Sequence, residues 1–170
     1  MKEKLYNYLG EEISPTDIVV QDEKFGSVDN LGIVHINWAE ESDIADANGF
    51  SKLERFEESN SFVIYNYVIP KGTMLCRYGL PTGRFTTLKG TAYEKLGLPY
   101  VKETIEYHEY MVSLDLMVDC FVTKGIVAPA FYSEGGAIQF MHRQSINLEC
   151  QDGLLKEVKG WRQKGLRICT

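Results

Sequence analysis

Hydrophobic and polar positions along this chain change over in short runs, and few stretches carry a helical period. Leu31-Gly32-Ile33-Val34-His35-Ile36-Asn37-Trp38 is a short apolar run that predicts a strand. Phe62 to Ile69 is rich in β-branched and aromatic residues, lies between Asn60 and Pro70, and predicts another. Met74 to Tyr78 predicts a strand that delivers Arg77 at its end. Ile105 to Val112, Met117 to Val122, Ile126 to Ala130 and Ala137 to His142 read the same way, and Leu154 to Val158 with Trp161 closes the sheet. Helical expectations are fewer. They are Lys2 to Leu9 ending at Gly10, the acidic Glu40 to Ala47 stopped by Asn48-Gly49, and a single turn within Thr91 to Leu96. The connections are too brief for β-α-β crossovers. The expected fold class is therefore α+β: a mainly antiparallel β-sheet core with a few short helices.

Composition narrows the class. The 170 residues are 44% hydrophobic and 25% charged, as in ordinary globular proteins, and long enough for one domain with its own core. No apolar run reaches the roughly 18 residues of a membrane span. The opening Met1-Lys2-Glu3-Lys4-Leu5-Tyr6 has no apolar signal core, which predicts no signal peptide and a cytoplasmic location or export by a non-Sec route. Cys76, Cys120, Cys150 and Cys169 are widely spaced, with no C-x-x-C pair for zinc or redox chemistry, and free, mostly buried thiols are expected rather than disulfides. Charge is uneven. Residues 1–60 hold 14 acidic and five basic side chains, a net of −9, and residues 61–170 hold ten acidic and 13 basic, a net of +3. We therefore expect an acidic N-terminal segment, 1–60, packed on a core of 61–170 within a single domain. The mildly basic part lacks the dense Lys/Arg clustering of a nucleic-acid binder, and a nucleic-acid partner is not expected.

The chemistry concentrates in Arg77-Tyr78-Gly79-Leu80-Pro81-Thr82-Gly83-Arg84-Phe85 and in Gly135-Gly136-Ala137-Ile138-Gln139-Phe140. Arginine presents a planar fork of donors to phosphate or carboxylate and stays charged. Arg77 and Arg84 are either ordinary surface arginines or a clasp for an anionic nucleotide. The glycines and proline between them favour a fixed loop whose N–H groups could also face an anion. Gln139, flanked by Ile138 and Phe140, either faces solvent or offers its amide to a ligand hydroxyl, amide or water. His108 in Glu106-Tyr107-His108-Glu109-Tyr110 is either a satisfied strand histidine or an acid-base group. His35 and His142 have no ligand-spaced neighbours, so no metal is expected. No glycine-rich dinucleotide fingerprint, phosphate loop or nucleophile elbow is present.

These residues, with Gly90-Thr91, Leu98-Pro99, Tyr107-His108-Glu109-Tyr110 and Ala128-Pro129-Ala130-Phe131, resemble in order and spacing the tuberculosis necrotizing toxin domain family of NAD+ glycohydrolases. The similarity runs from about Ser61 to Val158, and upstream Trp38 and Asn48-Gly49-Phe50 match a segment that precedes the core in relatives. The resemblance implies cleavage of the nicotinamide–ribose bond of NAD+, giving nicotinamide and ADP-ribose, with NAD+ as substrate and no cofactor. It implies Arg77 and Gln139 as catalytic residues. It also implies Tyr78, Arg84, Phe85, His108 and Gly136 as substrate-binding residues. No glycosidase-like pair of carboxylates is evident, and Glu109 and Glu134 stay open as helpers. Phe85 replaces a tyrosine of some relatives, keeping a stacking face without a hydroxyl. NADP+ is a second candidate substrate, and a cognate immunity protein a candidate partner. ADP-ribosyl transfer, ADP-ribosyl cyclisation and an inactive nucleotide-binding domain are the alternatives.

Overall fold

The computed structural model describes residues 5–6, 12–13, 18–31, 33–113, 121–162 and 166–167. Two small hairpins come first, β1 (Leu5–Tyr6) with β2 (Glu12–Ile13), and β3 (Gly26–Val28) with β4 (Val34–Ile36). The main sheet is built from β5 (Val63–Tyr67), β6 (Met74–Tyr78), β7 (Phe85–Leu88), β8 (Tyr107–Val112), β9 (Val122–Ile126), β10 (Ile138–His142), β11 (Leu155–Arg162) and β12 (Leu166–Arg167). Its spatial order is β12-β11-β8-β6-β7-β10-β9-β5, and every neighbouring pair is antiparallel. One α-helix, α1 (Ile146–Gln151), and three short 3-10 turns complete the described elements. The fold is α+β on an antiparallel sheet.

Alternation assigns the two faces of the sheet. One face packs Leu75, Tyr110, Val112, Phe140 and Leu155 against Ile146 of α1, together with Ile69 and Val122. On the other side a second cluster joins Tyr93, Leu96, Ile105, Val127 and Ala137, with Tyr78 against it. The register aligns one row across five strands on that second side: Cys76 faces Thr87, Thr87 faces Gln139, Gln139 faces Gly125 and Gly125 faces Val63. At Gly125 the row has no side chain, and the ring of the fully buried Phe50 fills the space; a Cβ there would overlap that ring.

Some expected elements differ. Within Lys2 to Leu9, Leu5–Tyr6 is a strand instead of a helix, and the other residues of that segment lie outside the described ones. Glu40 to Ala47 is not helical. Ser42 Oγ accepts from Ile44 N, and Asp46 Oδ1 accepts from Asn48 N and Phe50 N at 2.8 and 2.9 Å, so these side chains hold turns that compete with a helix. Of Met117 to Val122, only Phe121 and Val122 are described, and the strand runs onward from Val122 to Ile126. The turn expected in Thr91 to Leu96 is the 3-10 turn Tyr93–Lys95. Cys76 and Cys150 are free thiols, while Cys120 and Cys169 lie outside the described residues.

Candidate functional site

A cavity of about 1620 Å³ opens between the Cys76–Gln139 face of the sheet, the loop 79–84 and residues 33–34, 38–39 and 45–49. That is larger than the roughly 300–1,000 Å³ of a typical small-molecule site and leaves room for an extended ligand. Arg77, Tyr78, Arg84, Phe85 and Gln139 all line it, as do Trp38, Asn48 and Gly49. Residues more than sixty positions apart in sequence are thus gathered on one wall.

Arg77 reaches the cavity by an indirect route. Its neighbour Cys76 lies in the row that faces the cavity, so Arg77 leaves the strand on the opposite face. From there the guanidinium bends around the strand end, where Nε donates to Leu80 O at 2.8 Å and Nη1 to Phe85 O at 3.0 Å. Nη2 lies against Gly83, whose lack of a Cβ makes the space. Guanidinium has five N–H groups, and among the described residues two of them are taken by these carbonyls, which leaves the others for a ligand. Burial pulls the pKa of this group down, opposed by Tyr110, Tyr100 and Glu106, yet arginine stays charged in proteins. Arg84 is exposed, with Nε bound to His142 O at 2.9 Å.

Gln139 is half-buried at the centre of the polar row. Beside it, Thr87 Oγ1 donates to Ile138 O at 2.6 Å, which ties β7 to β10 at the cavity floor. Phe85 meets Phe50 edge to face at 6.3 Å, and Tyr78 packs against Tyr93 and Tyr107 at 4.9 and 4.8 Å. Cys76 also lines the cavity, but burial pushes its thiol up to about 11, which removes it as a nucleophile near neutral pH.

Other expected residues sit elsewhere. His108 is buried and does not line the cavity; it faces Arg77 across the β6–β8 ladder and pairs with Glu157 and Glu106. Strand alternation gave no hint of that pairing, because Glu157 lies 49 positions away. Gly136 is exposed and off the cavity lining, with open space around it. Close approach belongs to Gly135, at φ +70°, whose Cβ would overlap Val127 O and sit 2.8 Å from the Ala128 carbonyl carbon. The neighbour it accommodates is the chain's own backbone. Glu109 is buried under the Tyr107 hydroxyl at 2.7 Å, and Glu134 is an exposed partner of Lys95 at 2.7 Å. Neither lines the cavity, whereas Glu106, given no role in the sequence reading, does.

At the cavity's apolar end, Phe131 and Tyr132 have φ of 49° and 65° and form the tip of a tight turn closed by Ala130 and Ser133. Aromatic residues seldom adopt this region, and each costs of order 1–3 kcal/mol there. Contacts from the N-terminal segment hold the turn: Phe25 on both rings, Trp38 on Phe131, and Asp22 accepting from the Tyr132 hydroxyl at 2.7 Å. Among the described residues no group of His, Cys, Asp and Glu is placed to hold a metal ion, and no helix is long and apolar enough to cross a membrane.

Fold and site together define an α+β domain with an arginine loop and a polar cross-strand row on the wall of one deep cavity. The family model described as tuberculosis necrotizing toxin (TNT) matches residues 68–158, over half of the chain, and the protein belongs to that toxin family. A search of the curated proteins finds no match. Among solved structures, tuberculosis necrotizing toxin complexed with its immunity factor is similar, with a TM-score of 0.58 and 21% identity over 79% of this chain and 67% of that chain. This likeness is one of fold. The matched span holds Arg77, Tyr78, Arg84, Phe85, Glu106, His108, Gly136 and Gln139.

Proposed function

We propose that the protein is an NAD+ glycohydrolase that cleaves the nicotinamide–ribose bond, releasing nicotinamide and ADP-ribose. The observation that carries this reading is the shared cavity of Arg77, Arg84, Phe85 and Gln139, within the span that matches the toxin family. Cleavage develops positive charge on the ribose while a neutral nicotinamide leaves, so the leaving group needs no strong acid. Orientation and charge neutralisation at the pyrophosphate serve this reaction best. Arg77, with two donors fixed to backbone carbonyls and the others left for a ligand, supplies a pre-positioned cation, and the exposed fork of Arg84 supplies a second. Gln139 offers an amide to the reacting ribose or the attacking water from the cavity floor. Phe85 gives an apolar face to a base or the nicotinamide ring.

Under this reading NAD+ or NADP+ is the substrate and no cofactor is required. A cognate immunity protein is the expected partner, since unchecked NAD+ loss would kill the producing cell. The test is direct. Purified protein incubated with NAD+ should yield nicotinamide and ADP-ribose, with Arg77→Ala and Gln139→Ala each lowering kcat roughly 100-fold or more. Intact NAD+ with the wild-type protein would sink the enzymatic reading. Cyclic ADP-ribose or a modified acceptor among the products would move it to cyclisation or transfer, and unaltered turnover in both variants would overturn the residue assignment.

A further inference from the structure

Among the described residues two acidic ones line the cavity, Asp46 and Glu106. Asp46 Oδ1 is occupied by the N–H groups of Asn48 and Phe50, and its task is to shape a turn. Glu106 is held differently. Its Oε2 lies 3.4 Å from His108 Nε2, while the other ring nitrogen, Nδ1, pairs with Glu157 Oε1. The His108 side chain is only 3% exposed and that of Glu106 12%. An imidazole clasped between two carboxylates donates to both when protonated. Gly160 faces His108 across the ladder, and its missing side chain leaves the space in which Glu157 meets the ring. The backbone of Glu106 is fixed as well, since its carbonyl accepts from Gly79 N at 2.9 Å at the start of the arginine loop. Glu106 and Arg77 are close enough to interact electrostatically. The wall that carries the arginine cation therefore also carries an anchored carboxylate.

We propose that Glu106 is a catalytic carboxylate of this site, which accepts hydrogen bonds from the vicinal hydroxyls of the nicotinamide ribose and stabilises the positive charge that develops there, with His108 and Glu157 as positioning residues behind it. The inference rests on the NAD+-cleaving reading. Two carboxylate oxygens match a vicinal diol as acceptors, and an anion beside the ribose is worth more as the ring becomes cationic than before. In the step itself the C1′–N bond breaks and its electron pair leaves with nicotinamide, whose ring nitrogen becomes neutral. The oxygen of water then bonds to C1′, and one proton passes to solvent.

The experiment compares wild type, Glu106→Gln and Glu157→Gln in NAD+ turnover and in calorimetric binding of ADP-ribose, which carries the ribose diol, and of ADP, which lacks that ribose. In Glu106→Gln we expect kcat to fall roughly 100-fold, ADP-ribose affinity to fall roughly tenfold and ADP affinity to hold. Glu157→Gln should lower kcat roughly tenfold and add nothing in the Glu106→Gln background, as residues acting through one another do. Wild-type kcat in Glu106→Gln, or equal losses of ADP and ADP-ribose binding, overturns the inference. Should Glu106→Gln fail to unfold cooperatively, Glu157→Gln decides, and an unchanged kcat there overturns it too. A wild-type protein that neither cleaves NAD+ nor binds ADP-ribose overturns the underlying reading, an outcome visible before any variant is made.

Discussion

Arg77 shows how much a single side chain depends on what is missing beside it. A Cβ on Gly83 would overlap Nη2 and Cζ of Arg77 and lie 2.8 Å from Nη1. Gly83 has no positive φ, so alanine suits its backbone, and the atoms displaced are the far end of a flexible side chain. Backbone strain should therefore add little to its cost. Position should change a great deal, because the guanidinium must leave the carbonyls of Leu80 and Phe85. We expect Gly83→Ala to lower Tm by no more than about 10 °C, the cost of the two bonds given up, while NAD+ turnover falls at least about tenfold; equal turnover would show that Arg77 needs no fixed position. His108 makes a different prediction. Burial pulls its pKa down, but the bonds to Glu106 and Glu157 outweigh that and hold it at about 9, against an ordinary 6.5. Its stabilising contribution is complete below about pH 6.5 and is lost as pH rises through about 9, and it amounts to about 3 kcal/mol at most. Denaturant titrations across that window should show stability falling with pH, and the fall should flatten in Glu157→Gln. Arg77, Arg84 and Phe85 were legible in the sequence because glycine and proline mark a loop among strands. The fate of His108 was not, because both its exclusion from the cavity and its charge depend on a partner on a distant strand.

The strands β6, β8 and β10 could be read from the chain as Met74 to Tyr78, Ile105 to Val112 and Ala137 to His142, and they carry Arg77, Glu109 and Gln139. β7 was hidden. Thr86 and Thr87 look like polar loop residues, yet both are buried, Thr87 bonded to Ile138 O and Thr86 Oγ1 to His142 Nε2 at 2.7 Å. Helix α1 was also missed, since its six residues give too little periodicity. Its legible signals were Ser145, which caps Leu148 N, and Gly153 just past its end. At β11 a register shift falls between Glu157 and Lys159, and this irregularity brings Glu157 and Gly160 together over His108. In Gly160→Ala the new Cβ would overlap Glu157 Oε1 and stand 2.7 Å from His108 Nδ1. Neither neighbour can give way without separating a buried ion pair, whose loss typically costs about 3–5 kcal/mol. We expect Gly160→Ala to lower unfolding free energy by about 3 kcal/mol at pH 6 and by less at pH 9, where the imidazolium is already being lost. An equal loss at both pH values would show that the cost lies in packing alone.

Across the whole molecule, the acidic first 60 residues do more than cover a finished core. Phe50 is fully buried on Gly125 and against Phe85, which lines the cavity. The backbone on either side of it is bonded into the same strand end, Ser51 N to Ile126 O at 2.7 Å and Ala128 N to Gly49 O at 2.9 Å. Further up, Gln21 N bonds Pro99 O and Val101 N bonds Val19 O, both at 2.8 Å. Charge asymmetry sets residues 1–60 apart as a segment packed on the core of a single domain, and these bonds and the cavity wall of Trp38 and 45–49 join the two parts. We therefore propose that residues 61–170 do not form an independent folding unit. Losing the Phe50 ring alone should cost about 3–5 kcal/mol, a large share of the 5–15 kcal/mol that holds a typical domain together. The fragment would also leave Gly125 and Val127 facing water and the strained Phe131-Tyr132 turn without Phe25 or Trp38 to hold it. Expressed alone, 61–170 should show no cooperative thermal transition by circular dichroism and no NAD+ cleavage, whereas the full chain should show both. A fragment that unfolds cooperatively near the full-length Tm and still cleaves NAD+ would make the acidic segment a dispensable cover. Cooperative unfolding without cleavage would place its contribution in the cavity wall, and Trp38 with Asn48 and Gly49 would then be the residues to restore first.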